Sequence, residues 1–88
     1  MTLYYKYYST FPTIKATYGI VVQIKTMKDP FVWMPCRSDY ISDCISRFKD
    51  SEVYRVYVGF LKKWYSFKQF KNLVKDPSFY NRKLASYN

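Results

Sequence analysis

Apolar and polar residues alternate along the first third of the chain with the period of two that is typical of β-strands. Leu3 to Tyr8 is rich in tyrosine and predicts a first strand, which a turn at Ser9 to Pro12 ends. From Ile14 to Ile24 the even positions are apolar, whereas the odd ones include lysine, threonine and glutamine. This alternation predicts one long strand, or a tight hairpin at Gly19, with a core face and a wet, basic face. Phe31 to Met34 predicts a further short strand.

The middle of the chain changes to the spacing of an amphipathic helix. Ser38 is predicted to cap this helix, with Asp39 in its first turn. Its apolar face is predicted to consist of Ile41, Cys44, Ile45 and Phe48. A strand from Val53 to Phe60 is predicted next, with Arg55 and Tyr57 on the face opposite to its valines at even positions.

A second helix is predicted where Ser66 and Gln69 match a capping box. It continues to Lys75, Asp76-Pro77 ends it, and residues 78–86 predict a short last helix. Because strands come first and helices are segregated later, the order predicts an α+β fold. We expect a two-layer sandwich in which two or three helices pack on one face of a mostly antiparallel sheet of three or four strands.

The length of 88 residues leaves room for one domain, since a core of this size buries only about 60% of the surface of the chain. No internal repeat, low-complexity tract or linker interrupts the sequence, so a single domain over residues 1–88 is predicted. Hydrophobic residues make up 49% of the chain, which excludes disorder.

Cysteine and histidine usage narrows the chemistry further. Cys36 and Cys44 are too few for a disulfide framework, and the chain has no histidine to complete a metal site. We therefore expect reduced thiols, with Cys44 in the core, and neither a cofactor nor a metal. The first residues lack the pattern of a signal peptide, and no stretch approaches the roughly 20 apolar residues of a membrane span. A cytoplasmic location is predicted.

An excess of positive charge changes this picture most. Fifteen Lys and Arg against six Asp and Glu give a net charge of +9, which predicts an anionic partner. Residues 62–88 hold seven of these cations and a single acid, Asp76, so this segment alone carries +6. The seven are Lys62, Lys63, Lys68, Lys71, Lys75, Arg82 and Lys83.

Three of these lysines, at positions 68, 71 and 75, recur at the spacing of one helix face. Such a stripe can follow a phosphate backbone, so we predict that it binds nucleic acid. The alternative is an ordinary solvated helix face, although such faces usually carry both signs of charge and this stripe contains no acid.

The outward face of the predicted sheet is a second candidate surface, because aromatic rings and cations alternate in the strands so that they fall on this one face. Its members are Tyr4, Lys6, Tyr8, Lys15, Lys25, Arg55 and Tyr57. Aromatic rings stack on unpaired bases while neighbouring cations neutralise phosphates. The alternative is a tyrosine-rich sheet chosen for β propensity alone.

Catalysis is not expected. The absence of histidine removes the commonest general base, and two glycines are too few for a phosphate-binding loop. Asp39 and Asp43 lie one turn apart and have the spacing of a Mg²⁺ site, but both have structural roles available. Asp39 favours a helix N-terminus, and Asp43 can pair with Arg47.

Residues 56–61, Val-Tyr-Val-Gly-Phe-Leu, resemble the short RNP2 strand motif of RNA-recognition motif domains. That resemblance implies that Tyr57 stacks on a base. The sequence departs from the motif at Phe60, where Asn is usual, and the 27 residues after Leu61 do not supply the remaining sheet of that fold. In composition the chain also resembles small phage-encoded host-takeover and counter-defence proteins, being short, rich in Lys, Tyr and Phe, and without His. This implies a binding role in the host cytoplasm and assigns no residues.

Together these features predict a protein that binds RNA or single-stranded DNA by occupancy, since rings accompany the charges. The alternative is a small protein-binding inhibitor that docks on an acidic patch of a partner protein, with aromatic anchors. Attachment to an anionic membrane surface is a third hypothesis. A homodimer would join two basic faces into a longer groove.

Overall fold

The computed structural model describes residues 6–25 and 30–80. Its strands are β1 (Lys6–Tyr8), β2 (Gly19–Ile24), β3 (Phe31–Pro35), β4 (Val53–Val58) and β5 (Lys63–Tyr65). Its helices are α1 (Thr13–Ala16), α2 (Ser38–Arg47) and α3 (Phe67–Leu73), with a 3₁₀ turn at Gly59–Leu61. The strands form one sheet in the order β1-β3-β2-β4-β5, with every neighbouring pair antiparallel. The predicted α+β class is confirmed, although the described sheet has five strands rather than three or four.

The main core lies between one face of the sheet and the helices α2 and α3. On β2 the even positions Ile20, Val22 and Ile24 are buried, as the period of two predicted. They pack in one cluster with Ile41 and Cys44 of α2 and with the phenylalanines of α3. Burying apolar area of this kind contributes roughly 25 cal/mol per Å² and is the main force that holds both helices on the sheet.

The segment from Ile14 to Tyr18 was predicted as part of a strand, and this was wrong. Residues 13–16 form the short helix α1, and Ile14, expected in the core, is 81% exposed. The helix is held by Ala16, which is buried, and by the ring nitrogen Nε1 of Trp33, which donates to the carbonyl oxygen of Lys15 at 2.8 Å. Contacts with distant strands thus override the local alternation.

The prediction of a wet face on β2 was also wrong, because every residue of this strand is buried. Trp33 and Val21 are register partners on the face opposite to the main core, and α1 packs over that face. Gln23, also on this face, has its side-chain oxygen bonded by Arg55 Nε at 2.8 Å. The helices therefore do not all lie on one side of the sheet.

The strand β5 was not predicted. It has three residues, pairs with β4 at the edge of the sheet, and follows Lys62, which adopts a left-handed conformation with φ of 54°. Lys63 and Tyr65 flank Trp64 in this strand, and three residues are too short for a recognisable alternation.

The N-cap of helix α2 lies one residue earlier than predicted. Arg37 occupies the N-cap position and Ser38 is the first helical residue, with no side-chain cap. Asp43 and Arg47 form the expected ion pair, with Oδ2 and Nε 3.1 Å apart.

The predicted capping box of α3 is confirmed. The backbone N–H of Gln69 donates to Ser66 Oγ at 3.1 Å, and Ser66 N–H donates to Gln69 Oε1 at 3.0 Å. The helix ends at Leu73, two residues before the predicted end. Residues 78–80 are helical, and the rest of the predicted last helix lies outside the described residues.

Ser66→Ala is expected to lower the free energy of unfolding by about 1 kcal/mol, because it removes an N-cap acceptor. Urea denaturation followed by circular dichroism measures this loss. Ser38→Ala is the matched control, since Ser38 has no side-chain cap bond, and it should change stability by less than about 0.5 kcal/mol. Equal losses for the two variants would contradict the assigned caps.

Candidate nucleic-acid interface

A groove of about 770 Å³ lies between α2 and α3 on the helical side of the molecule. Residues 41, 42, 45 and 46 of α2 form one wall, and residues 68, 71 and 72 of α3 form the facing wall. These spacings are those of single helix faces, so each wall follows from the position of its helix against the sheet. Asp50, Val74, Lys75 and Tyr80 complete the lining.

The lysine stripe predicted from the sequence borders this groove. Lys68 and Lys71 lie on α3, and Lys75 lies in the turn after it, so the structure brings all three to one groove. Their neighbours Phe67 and Phe70 are buried, which fixes the face of α3 that carries the lysines. Like charges held along one wall attract an extended anion and repel one another in its absence.

One acid does enter the stripe, and it comes from another part of the chain. Asp50, in the connection between α2 and β4, accepts a bond from Lys71 Nζ at 2.7 Å. Its side chain is 75% exposed, so the pair contributes little to stability. Lys71 Nζ also lies 4.8 Å from the centre of the Phe67 ring. Among the described residues, neither Lys68 nor Lys75 has an ion-pair partner.

The groove has an apolar floor and a polar rim. Ile41 is fully buried, and Ile45, Val74 and Tyr80 are partly buried against the core. Burial raises the pKa of Tyr80 above its ordinary value, with the Cys36 thiol as a second cause, so its hydroxyl is neutral at physiological pH and able to donate.

Small polar side chains form the rim on both helices. Ser42 and Ser46 lie on the α2 wall, and Asn72 lies on the α3 wall. Ser46 Oγ donates to the carbonyl oxygen of Asp43 at 2.8 Å and retains its capacity to accept. These residues were not singled out from the sequence, and the signal available was the placement of two serines one turn apart beside Ile41 and Ile45.

Two further predicted lysines lie away from this groove. Lys62 is exposed at the end of the 3₁₀ turn, and Lys63 is exposed on the edge strand β5. Lys63 Nζ lies 5.6 Å from the centre of the Tyr65 ring. Both extend the positive charge toward the sheet edge without lining the groove.

The second predicted surface, the outward sheet face, is partly covered. Phe11, in the segment before α1, lies over it at the centre of a group of rings formed with Phe31, Tyr57 and Trp64. The centres of Phe11 and Tyr57 are 5.3 Å apart with their planes perpendicular, and those of Tyr57 and Trp64 are 5.2 Å apart. Tyr57 is therefore packed between two rings. The alternation pattern contained no signal for this cover.

Arg55 is also held within this face. Its guanidinium carbon lies 3.8 Å from the centre of the Trp64 ring, and its Nε bonds to Gln23. Lys6 and Tyr8 lie on the edge strand β1, where they pair in register with Trp33 and Phe31. The structure thus places these cations and rings on the opposite side of the sheet from the lysine stripe.

Three predicted binding residues, Tyr4, Arg82 and Lys83, lie outside the described residues. The carboxylates considered for a metal site have cationic neighbours: Asp43 pairs with Arg47, and an oxygen of Asp39 is 3.5 Å from Arg37 Nε. Across residues 6–25 and 30–80, no group of three or more His, Cys, Asp or Glu side chains is placed to hold a metal ion.

Cys36 and Cys44 are both buried, and neither forms a disulfide within the described residues. Burial, with a smaller contribution from the charge of Asp43, raises the pKa of Cys44 to about 12. The thiol is therefore neutral at physiological pH and has the character of a small core hydrophobe, as predicted for this residue.

Comparisons with protein-family models, curated proteins and solved structures found no match. Within the described part of the chain, no helix is both long and apolar enough to cross a membrane. The arrangement of the groove itself is therefore the basis for a functional assignment.

Proposed function

We propose that the protein binds single-stranded nucleic acid, RNA or single-stranded DNA, along the lysine wall of the groove between α2 and α3. The observation that carries this proposal is the convergence of Lys68, Lys71 and Lys75 on one groove. Each lysine contact with a phosphate releases counterions, and this release is the main source of sequence-independent affinity for nucleic acid.

The helix side is preferred to the sheet face because the sheet face is already engaged. Tyr57 would need to lose its contact with Phe11 before a base could stack on it, and Arg55 would need to leave Trp64. The lysines at positions 68 and 75 have no such commitments among the described residues. A phosphate can therefore approach them without disturbing the packing.

A single strand suits this site better than a duplex because the lysines border an apolar floor. Ile45, Val74 and Tyr80 offer surface that an unpaired base can cover, whereas the bases of a duplex are stacked inside it. The protein would act by occupying the strand and not by cutting it, since the groove presents lysines and hydroxyls, and its one carboxylate, Asp50, is engaged by Lys71.

A titration with single-stranded RNA, single-stranded DNA and duplex DNA at several salt concentrations tests the proposal. Three phosphate contacts on a single strand predict that log K falls with log salt with a slope of about −2, at roughly 0.7 per contact. Fluorescence anisotropy of labelled oligonucleotides measures both affinity and slope. Absence of binding at low salt, or a slope shallower than about −1.4, would sink the proposal.

A second candidate function, a small protein-binding inhibitor, is favoured by the apolar side chains around α1. Ile14 is 81% exposed and Tyr18 is 59% exposed, and Lys15 lies between them with its Nζ 4.8 Å from the centre of the Trp33 ring. Exposed apolar side chains beside a cation suit an acidic partner with an apolar pocket. Protein purified without nuclease separates the two functions: retained RNA raises the ratio of absorbance at 260 to 280 nm, whereas a partner protein that Ile14→Ser releases supports the second.

A further inference from the structure

We propose that the groove between α2 and α3 holds one unpaired nucleotide, with its base on the apolar floor and its phosphate on the α3 lysines. This inference rests on the proposed function and deepens it, because it adds recognition of the base to attraction for the backbone. It predicts that the protein distinguishes a strand with bases from a bare sugar-phosphate chain.

The size and shape of the groove fit a ligand of this kind. Its volume of about 770 Å³ lies within the range of roughly 300 to 1,000 Å³ that is typical of small-molecule sites. Two helix walls bound it, and Tyr80 contributes an aromatic side chain to the lining. A purely electrostatic track for phosphates would need neither a concave groove nor an apolar floor.

The apolar side chains of the floor are already held in place before a base binds to them. Ile45, Val74 and Tyr80 are partly buried hydrophobic side chains that pack against the core, so their positions are fixed before a ligand arrives. A base laid on them removes apolar surface from water on both partners without ordering a loop. The floor is therefore organised in advance for a flat, apolar face.

The rim offers hydrogen bonds to the edge of such a base. Within the described part of the chain, the side chains of Ser42 and Asn72 make no hydrogen bond to protein, and they line facing walls. An amide donates and accepts, as does a hydroxyl, which matches the mixed donors and acceptors of an unpaired base edge. In a duplex those edges are already paired.

The charges of the groove also favour a nucleotide over a plain anion. The Asp50 carboxylate lies beside Lys71, so the groove presents one negatively charged hydrogen-bond acceptor among its cations. An inorganic anion meets repulsion there, whereas the amino and imino N–H groups of a base can donate to such a carboxylate. A ligand with a negative phosphate and donor groups on its base can bind both the lysines and the Asp50 carboxylate.

Two strands of equal length and charge test this inference, one an RNA oligonucleotide and the other its fully abasic counterpart. Fluorescence anisotropy with wild-type protein should show an affinity for the abasic strand that is at least about tenfold weaker than the affinity for the RNA. The salt slope should be the same for both strands. The variant that combines Ser42→Ala and Asn72→Ala should bind the RNA about tenfold more weakly and the abasic strand unchanged. Both positions are exposed on helices, so alanine preserves the fold.

Ser9→Ala with Thr10→Ala is the matched control, because these exposed residues lie in the loop before α1 and should leave both affinities unchanged. If neither strand binds wild-type protein, the proposed function itself fails. If both strands bind equally well, the nucleotide site is overturned while the lysine track stands. A difference between strands that the groove variant does not reduce also overturns the nucleotide site, because the base is then bound elsewhere.

Discussion

Replacing Lys68, Lys71 and Lys75 together by glutamine is expected to weaken binding to single-stranded RNA about 100-fold at 0.1 M salt. Each phosphate contact on a single strand contributes about 0.7 to the salt slope, so three contacts are worth about two powers of ten between 0.1 M and 1 M salt. Glutamine keeps the helix propensity of lysine, so α3 should remain folded. Anisotropy titrations across the salt series should give a slope shallower by about 2.

The control for this triple variant carries the same loss of charge on other elements. Lys6, Lys15 and Lys25 are exposed and do not line the groove, so their joint replacement by glutamine should leave most of the affinity intact. A larger loss from this control than from the α3 variant would move the binding site to the sheet face. Loss of binding with Tyr57→Ala in a folded protein would support the same conclusion.

Asp50→Asn supplies a control of opposite sign in the same assay. Asp50 competes with phosphate for Lys71, and asparagine keeps a side-chain oxygen that can accept from a base. Its neutralisation should therefore raise the affinity for RNA and steepen the salt slope. Because the Asp50 side chain is 75% exposed, the free energy of unfolding should change by less than about 1 kcal/mol. Unchanged affinity in this variant, together with unchanged affinity in the triple lysine variant, would separate the groove from RNA binding altogether.

Local interactions explain the parts of the fold that the sequence predicts well. The capping box at Ser66 and Gln69 joins residues three apart, and the i to i+4 pair of Asp43 with Arg47 needs only a helix. The buried even positions of β2 follow from the alternation of side chains along a strand. Each of these features is set by neighbours in sequence, so the pattern of residues is sufficient.

The unpredicted parts depend on contacts between distant residues. Thr13 to Ala16 alternates like a strand but forms a helix, because Ala16 packs beside Gly59 and Trp33 bonds to the backbone of Lys15. The wet face expected on β2 is dry for the same reason. No periodicity within one segment carries information about what another segment will cover.

The candidate site likewise has a part that local sequence determines and a part that depends on distant contacts. The spacing of its lysines on α3 was visible in the sequence, since one helix determines it. The groove was not, because it requires α2 to lie beside α3 and to present Ser42 and Ile45 toward it. The salt bridge from Asp50 also joins separate elements, so a stripe that contains no acid in sequence has one in space.

Gly59→Ala is expected to destabilise the protein strongly, by about 3 kcal/mol, because there is no room for a side chain at this position. A Cβ atom built on Gly59 would overlap the carbonyl oxygen of Ala16 and would lie 2.9 Å from that of Gly19. Both are backbone atoms, which cannot rotate away as the end of a long side chain can. Either α1 must leave the sheet or the end of β4 must shift.

Urea denaturation measures the loss of stability. The fluorescence of Trp33, observed alone when Trp64→Phe is added to both proteins, reports whether α1 has moved, since its ring nitrogen bonds to Lys15 in that helix. Lys62→Gly is the control in the same turn, because glycine adopts the left-handed conformation of Lys62 without steric cost. It should leave the free energy of unfolding unchanged or raise it by up to about 1 kcal/mol. If Gly59→Ala costs less than about 0.5 kcal/mol, α1 does not pack against the end of β4 as described, and the covered sheet face becomes available for binding.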